Sequence, residues 1–144
     1  MLTDILSLFK QGKSTARSHV KNLIEMAAVD GNFDSSELDL LKSIAKRNGI
    51  SEGQLSGIRK NPEGIKFEIP DDVKEKFEQF YDLVHMMIVD KNIHEEEVNL
   101  CNLFAVKFGY KREIIKELVE SIRINIQNNQ TSSETMKRLS LLIG

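Results

Sequence analysis

The sequence predicts an all-α protein, a compact bundle of seven to eight helices organised around two pseudo-symmetric helical hairpins. Three observations carry this. Apolar residues recur at spacings of three and four along most of the chain, and β-branched residues dominate no window. Two prolines and eight glycines in 144 residues are too few for a turn-rich sheet protein. Finally, the stretch LIEMAAVDGNFDSSELDLLKSIAKRNGI returns as LVHMMIVDKNIHEEEVNLCNLFAVKFGY, shifted by 60 residues (Asp90 minus Asp30).

Taken in order, Leu2, Ile5, Leu6 and Phe9 share one face of a first helix over residues 3–10. That face suits packing on the core, or on a second copy in a homodimer. A membrane-surface anchor is the weaker reading, because the polar face carries few basic residues. Gln11-Gly12-Lys13-Ser14 reads as a break, with Ser14 capping a helix that runs to Asp30 and buries Val20, Leu23, Ile24, Ala27 and Ala28. A third helix starts at Asp34 and ends at Asn48-Gly49, with Leu38, Leu41, Ile44 and Ala45 inward; Gly49 suits the left-handed position past its end. Ser51 and Gln54 form a capping box for a short fourth helix. Asn61-Pro62-Glu63-Gly64 stops it, and the irregular stretch to Pro70 joins the two halves.

Pro70-Asp71-Asp72 opens a long helix to Asp90, burying Phe77, Phe80, Leu83, Val84, Met87 and Ile88. Residues 95–108 form the next helix, with Val98, Cys101, Phe104 and Ala105 inward and Gly109 closing it. Another helix covers 111–126. Asn128-Asn129-Gln130 turns the chain, and Thr131 with Glu134 caps a last helix through Leu142. The whole is one domain over residues 1–144, with the repeat at about 15–60 and 75–120.

Hydrophobic residues make up 40% and charged residues 29% of the chain, the mix of a globular domain. A net charge of −2 gives no overall pull toward nucleic acid, and no nucleic-acid partner is expected. The basic run Lys107, Lys111, Arg112 and Lys116 is balanced by Glu113 and Glu117, as on a solvated face. A single cysteine, Cys101, rules out an internal disulfide and suits a reducing, cytoplasmic setting. No apolar run reaches the ~20 residues of a membrane span. The N-terminus lacks the basic region and small-residue cleavage site of a signal peptide.

The acidic turns carry the chemistry. Asp30 and Asp90 fall at helix C-termini, where the macrodipole disfavours an anion. A local rule broken twice at matching positions marks a specially satisfied site or a functional one. As turn braces, these aspartates accept from the next backbone N–H groups, and Glu37 and Glu97 complete capping boxes behind Asp34 and His94. As ligands, Asp30, Asn32, Asp34 and Glu37 crowd hard oxygens into eight residues, as Ca²⁺ or Mg²⁺ requires. The candidate metal set is Asp30, Asp34, Glu37, Asp90 and Glu97. A true EF-hand is excluded, because Ser35 stands at its glycine position and Leu41 at its bidentate glutamate position. In the second turn Lys91 replaces Gly31 and His94 replaces Asp34, and the Lys91 ammonium could neutralise the acids in place of a metal.

The pattern VDGNFDSSELDLL, echoed by VDKNIHEEEVNL, resembles the TerB-like family of tellurite-resistance proteins, and the N-terminal domain of the DjlA co-chaperone is similar. The family hallmark is D-G-x-[IVF]-x-x-x-E. Asp30, Gly31, Phe33 and Glu37 match it, as do Asp90, Ile93 and Glu97, while Lys91 departs from it. The similarity covers the two hairpins, about residues 15–120. It implies a helical bundle with duplicated hairpins and clustered acids proposed to bind a divalent metal. It also implies a cytoplasmic role, or peripheral association with the inner membrane, within stress-response assemblies. No catalytic reaction comes with it.

No zinc-type His/Cys cluster, phosphate-binding glycine loop or nucleophile-elbow motif is present. His19, His85 and His94 are far apart, and Cys101 matches Leu41 in the repeat, a core position. The expectation is a non-enzymatic module that binds protein partners and a divalent cation. A purely structural scaffold, with the acids as caps and braces, is the competing class.

Overall fold

The two N-terminal apolar stretches join into one continuous helix. The computed structural model describes the backbone of residues 2–29, 31 and 33–143, and side chains from Ser14 onward. Helix α1 spans Leu2–Ala28 without a break. The expected break at Gln11-Gly12-Lys13-Ser14 is thus corrected. One interior glycine costs a helix only about 1 kcal/mol. Just beyond it the helix is held by tertiary contact: Thr15, Ala16 and Ser18 are buried, and the Ser14 hydroxyl donates to Glu68 Oε2 at 2.5 Å instead of capping. The expected packing of Leu2, Ile5, Leu6 and Phe9 lies outside the described side chains.

Helix α2 covers Ser35–Arg47 and α3 covers Glu52–Lys60. A 3₁₀ turn at Pro62–Gly64 follows. Helices α4 (Val73–Ile88), α5 (Glu95–Lys107) and α6 (Arg112–Gln127) form the second half. The last expected helix divides into α7 (Ser132–Arg138) and α8 (Ser140–Ile143). The chain turns at Leu139, whose carbonyl accepts from both Leu142 and Ile143 N–H groups at 3.0 Å. Among the described residues the protein is wholly helical, without strands. None of the described helices is long and apolar enough to cross a membrane.

Helix α4 is the hub, packing against α1, α2, α5, α6 and α7. Its inward residues Phe77, Phe80, Leu83, Val84, Met86 and Met87 are at most 2% exposed, so this helix is apolar on more than one face. Phe104 and Phe108 of the second hairpin close over it, with the Phe80 and Phe108 rings 5.9 Å apart. Most expected core residues are buried. Ala28 is exposed, and Ile24, Leu38 and Val98 are only half-buried.

The two hairpins share local backbone geometry. Helices α2 and α5 are each 13 residues long and begin at 35 and 95. Gly31 and Lys91 both take left-handed backbone, with φ of +80° and +67°, and their N–H groups bond back to Ala28 O and Ile88 O at 2.9 and 3.0 Å. Lys91 thus adopts the geometry of the glycine it replaces. Gly49 and Gly109 end the hairpins with φ of +76° and +90°. In each case the next N–H reaches the carbonyl five residues back: Ile50 to Ala45 at 2.9 Å, Tyr110 to Ala105 at 3.1 Å.

The connector after α3 is strapped down. The Lys21 ammonium donates to Ile65 O at 3.0 Å, and Glu68 N–H donates to the Ser18 hydroxyl at 2.8 Å. Phe67 stacks on Phe104 at 6.4 Å and meets Phe108 edge-on at 6.0 Å. The connector thus ties α1 to the second hairpin.

Candidate functional site

The two acidic turns meet. One carboxylate oxygen from each of Asp34, Glu37 and Asp90 lies within 4.8 Å of the others. Asp34 and Glu37 come from the start of α2, and Asp90 from the turn between α4 and α5; α2 packs on α4, which brings them together.

Each acid also serves its own turn. Asp34 is the N-cap of α2, its Oδ1 accepting from Glu37 N–H at 2.9 Å and from the Ser36 hydroxyl at 2.7 Å. Glu37 Oε1 accepts from Asp34 N–H at 3.4 Å, which completes the box. The bonds from the Glu37 N–H and then the Ser36 hydroxyl hold the Asp34 carboxyl below its ordinary pKa, so it is ionised at neutral pH. Asp90 Oδ1 accepts from Asn92 N–H at 3.0 Å, the Asx brace expected of a turn aspartate. Glu37 is 2% exposed, while Asp34 and Asp90 are half-buried. Carboxylates this close repel one another unless a proton or a cation intervenes.

Of the expected metal set, then, Asp34, Glu37 and Asp90 converge. Glu97 is not part of this trio; it is 1% exposed and its Oε1 accepts from His94 N–H at 3.3 Å, the capping bond expected of it. Asp30 lies outside the described residues, as does Asn32. Shifted by 60 residues, the trio corresponds to His94, Glu97 and Asp30. The matching apolar positions of the two turns differ in setting: Phe33 lies under the Arg59 guanidinium at 5.0 Å, while Ile93 is 40% exposed.

Sequence reasoning missed a second polar cluster. His19 Nε2 lies 2.8 Å from Asp82 Oδ2, both side chains being nearly inaccessible. Arg47 donates to the same Asp82 oxygen, and its Nε lies 3.3 Å from Glu78 Oε1. The cluster clamps α1, α2 and α4 together. No sequence signal could have found it, because His19 and Asp82 are 63 residues apart and no motif spans them. Full burial of His19 keeps it from any substrate.

The remaining candidates are core groups. Cys101 is buried and its thiol is pushed up to about 12 by desolvation, so it is no nucleophile at neutral pH. His85 packs edge-on to Tyr81 at 6.2 Å, and burial lowers its pKa.

With the geometry in hand, comparison with family models, characterised proteins and solved structures gives no match to this chain.

Proposed function

We propose that this chain is a non-enzymatic, TerB-like stress-response module that binds protein partners and holds a divalent cation between its two acidic turns. The observation that carries the reading is the convergence of Asp34, Glu37 and Asp90 from different hairpins. Two oxygens opposite each other on one Ca²⁺ stand about 4.8 Å apart, twice a Ca–O bond of ~2.4 Å, whereas Mg²⁺ needs about 4.2 Å. All three oxygens lie within 4.8 Å of one another, inside the span that a single Ca²⁺ can bridge. Such an ion would cancel the repulsion among the acids and pin the start of α2 to the turn after α4.

The competing reading, a scaffold in which the acids only cap and brace, is favoured by the bonds Asp34 and Asp90 already make within their turns. A calcium titration followed by thermal unfolding separates the two. On the metal reading, calcium at a hundredfold excess over Kd stabilises by about 2.7 kcal/mol, on the order of 5–10 °C for a chain of this size. Asp90→Asn keeps an oxygen for Asn92 N–H but removes the charge, and abolishes the shift. If neither millimolar calcium nor magnesium moves the transition, the acids are braces alone.

A further inference from the structure

We propose that the groove between the N-terminal end of α4, the start of α6 and the α7–α8 corner binds a free long-chain carboxylate, a fatty acid. The groove is open to solvent and offers about 960 Å³, at the upper end of small-ligand sites, and it shares no residue with the acidic turns. Its apolar lining comes from Val73, Ile114, Met136, Leu141, Leu142 and Ile143. Leu141 is 99% exposed and Val73 54% exposed, an arrangement a folded chain does not need for its own packing.

Its charge is one-sided. Lys74, Lys76, Lys111 and Lys137 line it against a single acid, Glu134. That acid is engaged at its own helix start, where its Oε1 accepts from Thr131 N–H at 3.1 Å. The groove therefore suits a negative ligand with an apolar body. Tyr110 narrows the choice further. It lines the same groove, is 8% exposed, and its buried hydroxyl has no hydrogen-bond partner. Burial keeps that hydroxyl protonated, a donor without an acceptor. The Lys76 ammonium stands 5.3 Å over the Tyr110 ring, so the cation and the residue that carries the unused donor are neighbours on the groove wall. A carboxylate in the groove answers the ammonium directly and reaches the hydroxyl once the Tyr110 ring turns toward it, and its alkyl chain covers Met136 and the α8 leucines.

The test uses laurate below its micelle concentration, with dodecylamine as the same chain bearing the opposite charge, and binding followed by calorimetry on the full chain. Laurate is expected to bind with micromolar Kd, and dodecylamine at least tenfold more weakly. Tyr110→Phe removes a hydroxyl with no partner in the protein, so the fold is kept, and laurate binding should weaken about tenfold. Lys76→Glu should weaken it at least as much, and Leu141→Asp, at a fully exposed site, should weaken it through lost chain contact. The proposal is overturned if laurate fails to bind below millimolar concentration, or if dodecylamine binds equally well. It is also overturned if Tyr110→Phe and Lys76→Glu both leave Kd unchanged. Binding to phosphatidylglycerol vesicles without binding of free laurate would make the groove a membrane contact and would also overturn it.

Discussion

Lys91 shows how much a single residue can reveal. Its left-handed φ of +67° is one that glycine adopts freely and a β-carbon opposes. The matching position in the first hairpin is Gly31, with φ of +80°. The sequence placed Lys91 as a departure from the hallmark, but only the backbone shows that the turn kept its shape and the side chain bears the strain. Lys91→Gly should therefore stabilise the protein by about 0.5–1 kcal/mol, the strain relieved exceeding the added freedom of the unfolded chain. Denaturant unfolding of the variant measures this, and a loss of stability would mean that the lysine side chain makes a contact worth more than the strain. Asp34 is the opposite case, since its role as cap was legible from the spacing Asp34 to Glu37.

Between elements, the His19, Asp82 and Arg47 cluster decides how α1, α2 and α4 sit against one another. Asp82 is 2% exposed and faces two nitrogen-bearing side chains. Asp82→Ala should cost about 3 kcal/mol or more, because it leaves a buried imidazole and a guanidinium without their shared acceptor. Arg47→Met should cost much less, since the Arg47 side chain is 49% exposed and screened by water. Pairing His19→Leu with Asp82→Leu should recover most of the loss, as apolar replacement of both partners of a buried hydrogen bond does. Chemical denaturation of the three variants provides the comparison, and equal losses for Asp82→Ala and Arg47→Met would place the strength of the clamp on its exposed side. The continuous α1 belongs to this scale too. Local signals at Gly12 and Ser14 favoured a break, and tertiary contacts from Thr15 onward outweighed them.

For the molecule as a whole, stability should depend on pH in a defined direction. The Asp34 and Glu134 carboxyls are held below their ordinary values of 3.8 and 4.5, in each case first by a backbone hydrogen bond at a helix start. Their stabilising effect is present above those values and is lost as pH falls through the lowered ones. His85 is lowered from 6.5 by burial, so below that pH the unfolded chain takes up the proton more readily and folding weakens. The transition temperature should thus be level near neutrality, decline gently below pH about 6.5, and fall more steeply below pH about 4.5. His85→Gln should remove the first decline and leave the second. A transition temperature that rises on acidification from pH 7 to 5 would contradict this assignment.

Local signals along the chain specified most of the helices, most of their caps and the acids worth watching, but not the continuity of α1 or the division of the last helix. Those properties follow from periodicity, capping and turn chemistry, which act over a few residues. The tertiary structure alone decided which acids meet, because Asp90 reaches Asp34 and Glu37 only when α4 packs on α2. It also decided that Glu97 stands apart from them, that His19 is paired with Asp82, and that lysines from α4, α6's start and α7 surround one apolar groove. Those are contacts between residues tens of positions apart, set by how apolar faces pack, and no local pattern along the chain encodes them.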